Sequence, residues 1–174
     1  MRVVAGELGG RRLHAPPGAR TRPTADRVRE ALFSMLGDVS GARVLDLYAG
    51  SGALGIEALS RGAASAVFVE RDSRAAAAVE RNLASLGVEG RVVRQDALRF
   101  LARGEGPFDL VLCDPPYDSA ARLAGSLTER LPVVTPEGAR IVTESDKRNP
   151  LELPFPLLRE RSYGDTRIAI HRGR

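Results

Sequence analysis

The sequence predicts an α/β protein in which a largely parallel sheet is covered by helices on both faces. From residue 43 onward, short apolar runs alternate with segments of helical periodicity. The runs are apolar throughout, which is typical of strands that are buried on both faces. The last two runs, 157–163 and 166–171, are separated only by Gly164-Asp165. This spacing predicts an antiparallel hairpin at the edge of the sheet.

The composition favours a cytoplasmic protein that binds no membrane. The chain has 174 residues, of which 43% are hydrophobic and 28% charged, as in ordinary globular domains with a sizeable core. No apolar run reaches the roughly 18 residues of a membrane span, and the first residues lack the apolar stretch of a signal peptide. The single cysteine, Cys113, cannot form an internal disulfide, which fits a reducing compartment.

Positive charge is concentrated near the N-terminus. Residues 1–29 contain seven arginines and two acidic residues, so they carry +5, and the remainder carries −1 of the formal net charge of +4. A GC-rich genome also favours arginine, but that bias does not segregate charge. A basic segment on a near-neutral domain is typical of an arm that binds nucleic acid. We therefore divide the chain into a basic extension, residues 1–37, and a main domain, residues 38–174.

The extension is predicted to hold a β-hairpin followed by a helix. Two short alternating runs, 2–5 and 11–14, are joined by a glycine-bearing loop. Thr24 is a suitable N-cap for a helix that continues to about Leu36, and Gly37 is a suitable stop.

The main domain is predicted to contain five βα repeats before the terminal hairpin. Asp72 or Ser73 is expected to cap the second helix, and Gly87 to end it. The predicted strands are 44–48, 66–69, 92–94, 110–113 and 139–142, and the helices between them are 53–61, 73–86, 97–103 and 119–131.

A glycine-rich turn follows the first strand. Gly50, Gly52 and Gly55 match the pattern G-x-G-x-x-G between a strand and a helix. Alone, this pattern is compatible with binding of a dinucleotide, with binding of a nucleoside, or with close packing of the helix on the strand. Asp46 precedes it, and a carboxylate there repels a pyrophosphate but suits a cationic ligand such as S-adenosylmethionine. The alternative is that Asp46 caps the loop.

Acidic residues also end the next two strands. Glu70 lies 24 residues after Asp46, near the position of an acid that binds ribose hydroxyls. Asp96 follows the third strand. It is equally suited to accept the amino group of an adenine and to cap the next helix.

The fourth strand ends in Asp114-Pro115-Pro116-Tyr117. An exocyclic amine on a base is a poor nucleophile because its lone pair is delocalised into the ring. The Asp114 carboxylate and the Pro115 carbonyl can accept its two N–H bonds and orient the nitrogen. The prolines stiffen the loop, and Tyr117 offers a face for a base lifted out of its stack. A rigid turn with a helix cap is the alternative.

These segments resemble class I S-adenosylmethionine-dependent methyltransferases over about residues 43–172. The N-terminal RVVAG and GGRRL, the block Arg22–Phe33, the stretch 46–62 (DLYAGSGALGIEALSRG) and the terminal Tyr163-Gly164-Asp165-Thr166 resemble the bacterial 16S ribosomal RNA guanine-N2 methyltransferase family. The resemblance implies a Rossmann-like, doubly wound seven-stranded sheet of order 3-2-1-4-5-7-6. It also implies that the protein acts as a monomer on one guanine of 16S rRNA, within the small ribosomal subunit or its assembly intermediate.

The resemblance assigns roles residue by residue. Catalysis falls to Asp114, Pro115 and Tyr117. Binding of S-adenosylmethionine is assigned to Asp46, Tyr48, Ala49, Gly50, Ser51, Gly52, Glu70, Arg71, Asp96, Ala97 and Asp114. Binding of the RNA is assigned to Arg11, Arg12, Arg22, Thr24, Arg27, Arg29, Pro116 and Tyr117.

Three other functions use parts of the same pattern. An adenine-N6 DNA methyltransferase shares the motif at residues 114–117, but such enzymes usually add a recognition domain. A nicotinamide-dependent oxidoreductase would leave Asp46 and that motif without a role. A non-catalytic assembly factor would not need an intact motif set. No metal site or covalent nucleophile is predicted, because the two histidines lie far apart in sequence and Cys113 lies in a buried strand.

Overall fold

The computed structural model describes residues 1–16 and 25–174, leaving aside the side chains of Ala25, Tyr117, Ala120 and Ala121. The helices in these ranges are α1 (Ala25–Leu36), α2 (Ala53–Ser60), α3 (Ser73–Leu86), α4 (Ala97–Leu101) and α5 (Ala120–Val134). The strands are β1 (Arg43–Leu47), β2 (Ser65–Val69), β3 (Arg91–Val93), β4 (Leu110–Cys113), β5 (Arg140–Asp146), β6 (Leu157–Tyr163) and β7 (Thr166–Arg172). None of the helices in the described ranges is long and apolar enough to cross a membrane.

The strands form one sheet of order β3-β2-β1-β4-β5-β7-β6. The first five are parallel to one another, and β7 pairs antiparallel with both β5 and β6. The α/β fold, the strand order and the terminal hairpin are therefore confirmed. Because the chain reverses its winding direction between β1 and β4, the carboxyl ends of these neighbours flank the crevice where open α/β sheets bind ligands.

Both faces of the sheet are covered at its central strands β1, β4 and β5, as the apolar runs predict, whereas the edge strand β6 is exposed. Along β1, Val44 packs into the core cluster that includes α1 and α3, and Leu45 packs into the cluster that includes α4 and α5. The central parallel strands β1 and β4 therefore lack a solvent-facing side along most of their length, which explains why their sequences do not alternate.

Residues 1–16 pair as a hairpin around a single bridge between Arg2 and Arg12. The backbone N–H of Val3 donates to the Arg11 carbonyl at 2.9 Å. Val3 and Leu13 belong to the same buried cluster as α1 and β1. The basic extension thus packs on the core of the main domain, and the division at residue 37 remains a functional prediction.

The predicted cap and end of α3 are confirmed, whereas the predicted end of the fifth strand shifts. Asp72 caps α3 by accepting from two backbone N–H groups, and Gly87 ends it in the left-handed conformation, at φ +69°. The predicted fifth strand stops too early at residue 142, because the apolar run ends there although Thr143 and Ser145 are buried in the sheet. Thr24, the predicted cap of α1, lies outside the described residues.

Candidate active site

The carboxyl ends of β1, β2 and β4 bring the chemically interesting residues to one edge of the sheet. Leu47 is in register with Val69 on one side and with Cys113 on the other. The residues that follow these three positions are Tyr48, Glu70 and Asp114. Residues that are up to 66 positions apart in sequence, Tyr48 and Asp114, therefore meet at the crevice of the sheet.

Asp46 lies beneath the glycine loop. Its side chain is only 1% exposed, and Oδ2 accepts a hydrogen bond from the backbone N–H of Gly55 at 2.9 Å. Burial raises the pKa of this carboxyl group to about 8, although the Gly55 N–H opposes the shift. The geometry is that of the loop-capping alternative, and contact between Asp46 and a cationic ligand remains a prediction.

The three glycines of the loop are required for different reasons. Gly50 and Gly52 have φ values of +58° and +78°, a region that side chains disfavour. At Gly55, an added Cβ would lie 2.4 Å from Cε1 of Phe68. Gly50 and Gly52 therefore shape the turn, and Gly55 allows α2 to pack closely on β2.

Glu70 holds the glycine loop against the end of β2. Its Oε2 accepts from the backbone N–H of Gly50 at 2.9 Å, and its Oε1 accepts from that of Asp72 at 2.8 Å. A carboxylate oxygen can accept more than one hydrogen bond, so both oxygens retain capacity for ligand hydroxyls. The neighbouring Arg71 is exposed.

Tyr48 adopts a strained backbone conformation at the mouth of the crevice. Its φ of +60° is unusual for a residue with a large side chain. Within the described part of the chain, its buried hydroxyl has no hydrogen-bond partner. Burial also raises the pKa of this hydroxyl, with a smaller contribution from the Cys113 thiol. A strained residue with an unsatisfied polar atom is typical of a ligand site.

Asp96 caps α4. One of its oxygens, Oδ1, accepts from the backbone N–H of Arg99 at 3.1 Å. Of the two roles that the sequence left open, capping is thus present in the structure, and contact with an adenine amino group remains a prediction. The side chain of Ala97 is buried, so only its backbone is suited to face a ligand.

The Asp-Pro-Pro-Tyr segment leaves the buried end of β4 directly. Asp114 is half-buried, Pro115 is buried and Pro116 is exposed. The Pro116 carbonyl accepts from both the backbone N–H and the hydroxyl of Ser119, at 3.0 and 2.8 Å. These bonds close a 3-10 turn, Tyr117–Ser119, whose Tyr117 side chain lies outside the described part.

Cys113 immediately precedes this motif but is unsuited to nucleophilic chemistry. It is a free, buried thiol. Burial raises its pKa well above the ordinary value, with further contributions from the charges of Asp114 and Asp46. Among the described residues, no group of three His, Cys, Asp or Glu side chains could hold a metal ion.

The arginines predicted to bind RNA have different environments. Arg11, Arg12 and Arg27 are exposed, and Arg11 Nη2 donates to the Ser85 carbonyl at 3.1 Å. Arg22 lies outside the described residues, as does Thr24.

The prediction for Arg29 is wrong. This side chain is 4% exposed and is held by Asp26 at 2.9 Å and by Glu57 at 3.4 Å. It also donates to the Arg2 carbonyl. With its guanidinium enclosed between carboxylates, Arg29 is unavailable to RNA phosphates and instead joins α1 to the rest of the core.

Two residues that the sequence reasoning missed hold the extension in place. Glu57, which is fully buried in α2, accepts from the backbone N–H groups of Val4 and Ala5 at 2.7 and 3.0 Å. Asn82, buried in α3, binds the backbone of His14. The sequence offered one signal for each residue. Glu57 is a charged residue within an apolar run, and Asn82 is a polar residue on the apolar face of its helix.

The model of the family described as conserved hypothetical protein 95 matches residues 1–172. The chain belongs to this family. A relative from Escherichia coli (strain K12), ribosomal RNA small subunit methyltransferase D, is 40% identical over 158 residues, which cover 87% of this chain and 77% of the relative. The protein of the same name from Haemophilus influenzae is 37% identical over 173 residues, covering 94% and 89% of the two chains.

The fold of this family member also matches a 16S rRNA N2 methyltransferase from Thermus thermophilus that was solved in complex with AdoMet and guanosine. The TM-score is 0.74 at 22% identity, over 91% of this chain and 45% of that chain. At this identity the likeness shows the fold, and the two relatives carry the argument about function.

Proposed function

We propose that this protein transfers a methyl group from S-adenosylmethionine to the exocyclic N2 amino group of a guanine in 16S rRNA. The observation that carries the proposal is the position of Asp114-Pro115-Pro116-Tyr117 at the carboxyl end of β4, next to the glycine loop that follows β1. The closely related family members are named as methyltransferases of small-subunit ribosomal RNA.

The edge of the sheet has the groups that S-adenosylmethionine needs. The left-handed Gly50 and Gly52 leave the loop backbone open to close approach. Glu70 has spare acceptor capacity for ribose hydroxyls, and the Tyr48 hydroxyl is unsatisfied within the described residues. The bound donor supplies an activated methyl group on a sulfonium. The residues proposed to hold it are those from Tyr48 to Gly52, with Asp46, Glu70, Arg71, Asp96, Ala97 and Asp114.

Asp114 and Pro115 would act on the acceptor nitrogen. The carboxylate of Asp114 and the carbonyl of Pro115 each accept one N–H of the amino group, so the nitrogen lone pair points away from both. This holds the nucleophile in line and favours loss of its conjugation with the ring. The nitrogen becomes acidic once it carries the methyl group, and its proton can pass to Asp114 or to water.

The proline pair restricts what else can bind at this position. Proline has no backbone N–H, so neither Pro115 nor Pro116 offers a donor that would compete with the amino group for acceptors. Tyr117, the last residue of the motif, is proposed to stack on the guanine after it leaves its base stack. Pro116, which is exposed, is proposed to contact the same nucleotide.

RNA binding is proposed for the exposed arginines of the extension. Arg11 and Arg12 lie on the hairpin of residues 1–16, and Arg27 lies in the first turn of α1. Guanidinium groups bind phosphates through bidentate hydrogen bonds. The substrate is proposed to be the small subunit or its assembly intermediate in the cytoplasm, because the relatives are named for the subunit RNA.

Transfer of a labelled methyl group tests the proposal. Small ribosomal subunits from cells that lack this protein are incubated with labelled S-adenosylmethionine, with naked 16S RNA and duplex DNA in parallel. Digestion followed by nucleoside identification is expected to give N2-methylguanosine from the subunits. Label in N6-methyladenine from DNA would keep the chemistry but overturn the substrate. Donor binding without label in any acceptor would overturn the proposed reaction.

A further inference from the structure

Asn82 is a fully buried polar residue that the proposed site does not use. It lies in α3 with 0% exposure, among apolar neighbours of the core. Burying a side-chain amide without hydrogen-bond partners destabilises the folded state. The partners of Asn82 therefore decide what the residue does.

The amide binds two separate segments of the chain. Oδ1 accepts from the backbone N–H of His14 at 2.7 Å, and Nδ2 donates to the His14 carbonyl at 3.0 Å. Nδ2 also donates to the carbonyl of Ser51 at 2.9 Å. Both backbone groups of His14 are thus paired by one side chain. The three bonds determine the orientation of the amide, because only its nitrogen can donate to the two carbonyls.

These two segments have different tasks in the proposed reaction. His14 follows Arg11 and Arg12 on the basic extension, and Ser51 lies at the centre of the glycine loop. A second contact joins the same segments, since the Ser51 hydroxyl lies 3.8 Å from Sδ of Met1. The extension therefore contacts the glycine loop through its first residue and, by way of Asn82, through residue 14.

Two hydrogen bonds fix the peptide that joins Ser51 to Gly52: its N–H donates to the Ala49 carbonyl at 2.7 Å, and its carbonyl accepts from Asn82. The residues on either side of Ser51, Gly50 and Gly52, both have positive φ and carry no side chain. The bond from Asn82 is the one that links this peptide to the extension, because Asn82 also binds the backbone of His14. A displacement of His14 would thus be transmitted to the loop that is proposed to hold the donor.

We infer that Asn82 is a positioning residue that couples RNA binding on the extension to donor binding at the glycine loop. RNA bound to the extension holds it in its docked position. Through His14 and Asn82 it then also holds the Ser51 carbonyl, so bound RNA raises the affinity of the glycine loop for the donor. Thermodynamic reciprocity requires the donor to raise the affinity for RNA by the same factor. The RNA side of this coupling rests on the proposed function.

The coupling is measured with S-adenosylhomocysteine, which binds without turnover. Its Kd is determined by equilibrium dialysis in the absence and presence of saturating small subunits from cells that lack this protein. For the wild-type protein, subunits are expected to lower the Kd by about fivefold or more. In Asn82→Ala, the Kd is expected to be the same with and without subunits.

Ser60→Ala is the matched control. The Ser60 hydroxyl binds the extension by accepting from the Leu8 N–H at 3.0 Å and donating to the Ala5 carbonyl, but it does not contact the glycine loop. In this variant, subunits are expected to lower the Kd by the same factor as in the wild-type protein; this ratio of Kd values is the coupling factor. Equal factors in Asn82→Ala and the wild-type protein would overturn the inference, as would a factor of one in the wild-type protein.

A second measurement needs neither a variant nor RNA. Binding of S-adenosylhomocysteine alone is expected to slow hydrogen exchange of the His14 amide by about fivefold or more, measured by NMR on the full chain. The Gly41 amide, bonded to the Gly62 carbonyl near the amino end of β1, is the internal control. Unchanged exchange at His14 would overturn the link through Asn82. A failure of the RNA substrate assignment would leave this result unaffected.

Discussion

Asp46 and Gly55 are joined by a 2.9 Å hydrogen bond that ties the end of β1 to the first turn of α2. The bond crosses the floor of the glycine loop and accounts for the acid at this position independently of any ligand. Because burial raises the pKa of Asp46 to about 8, its carboxyl group is largely protonated in the folded protein at neutral pH. In the unfolded chain the same group ionises near pH 4.

Asp46→Asn is expected to change how stability depends on pH. The folded pKa is above the unfolded one, so the stability that protonated Asp46 contributes is complete below about pH 4. It is lost as the pH rises through about 8. Asparagine keeps an acceptor for the Gly55 N–H but does not ionise. The free energy of unfolding in urea should therefore shift in favour of the variant between pH 4 and 9. A difference that is constant over this range would contradict the raised pKa.

Asp114→Ala is expected to lower the rate of methyl transfer by about 100-fold or more, a much larger effect than any weakening of donor binding. The reason is that the amino group loses the acceptor that orients it. Single-turnover transfer and the Kd for S-adenosylhomocysteine are the two measurements. Asp118→Ala is the control, since this exposed carboxylate lies four residues away, in the turn after the motif. Full activity in Asp114→Ala would exclude the role given to the carboxylate.

The sequence was sufficient to predict the sheet and the strand ends at which the candidate site residues lie, but not the contacts of the extension. Buried strands and glycine turns leave local signals, which is why the α/β fold and the loop at 46–55 could be expected. The strand order was implied only by the resemblance to class I methyltransferases. The partners of Glu57 and Asn82 in the hairpin of residues 1–16 are 52 to 68 residues away in sequence, and no local pattern encodes them. The sequence also does not reveal that Asp26 and Glu57 pair with Arg29 inside the fold. Arg29 was therefore grouped with the exposed cations of the basic extension.

Glu57→Gln is expected to destabilise the protein by about 3–5 kcal/mol, because it removes the charge that compensates the buried Arg29. Glu57 is fully buried and also accepts from Arg61 Nε at 2.8 Å. The measurement is the free energy of unfolding in urea. Glu105→Gln is the comparison, because the ion pair of Glu105 with Arg91 lies near the surface and should matter much less. Similar losses of unfolding free energy in the two variants would contradict a larger contribution from the buried ion pairs of Glu57.

Gly6→Ala is expected to detach the extension, whereas Gly10→Ala leaves it docked. Both glycines have left-handed backbones, with φ of +81° and +82°, so an alanine costs about 1–2 kcal/mol of backbone strain at either position. At Gly6 the new Cβ would also lie 1.8 Å from the carbonyl oxygen of Ser60, but at Gly10 it meets no atom within 4 Å. Gly6→Ala should therefore lower the Tm further and weaken binding to small subunits. Equal Tm values for the two variants would contradict docking of this segment on α2.

Arg12→Ala is expected to weaken binding to RNA and to flatten its dependence on salt. If the exposed Arg12 neutralises one phosphate, its loss should reduce the slope of log Kobs against log salt by about 0.7–0.9. Arg91→Ala removes the same charge from the amino end of β3, where Arg91 pairs with Glu105, and should leave the slope unchanged. Binding is measured to small subunits at four or more salt concentrations. Equal changes of slope in both variants would mean that net charge, and not the position of the arginine, governs RNA binding.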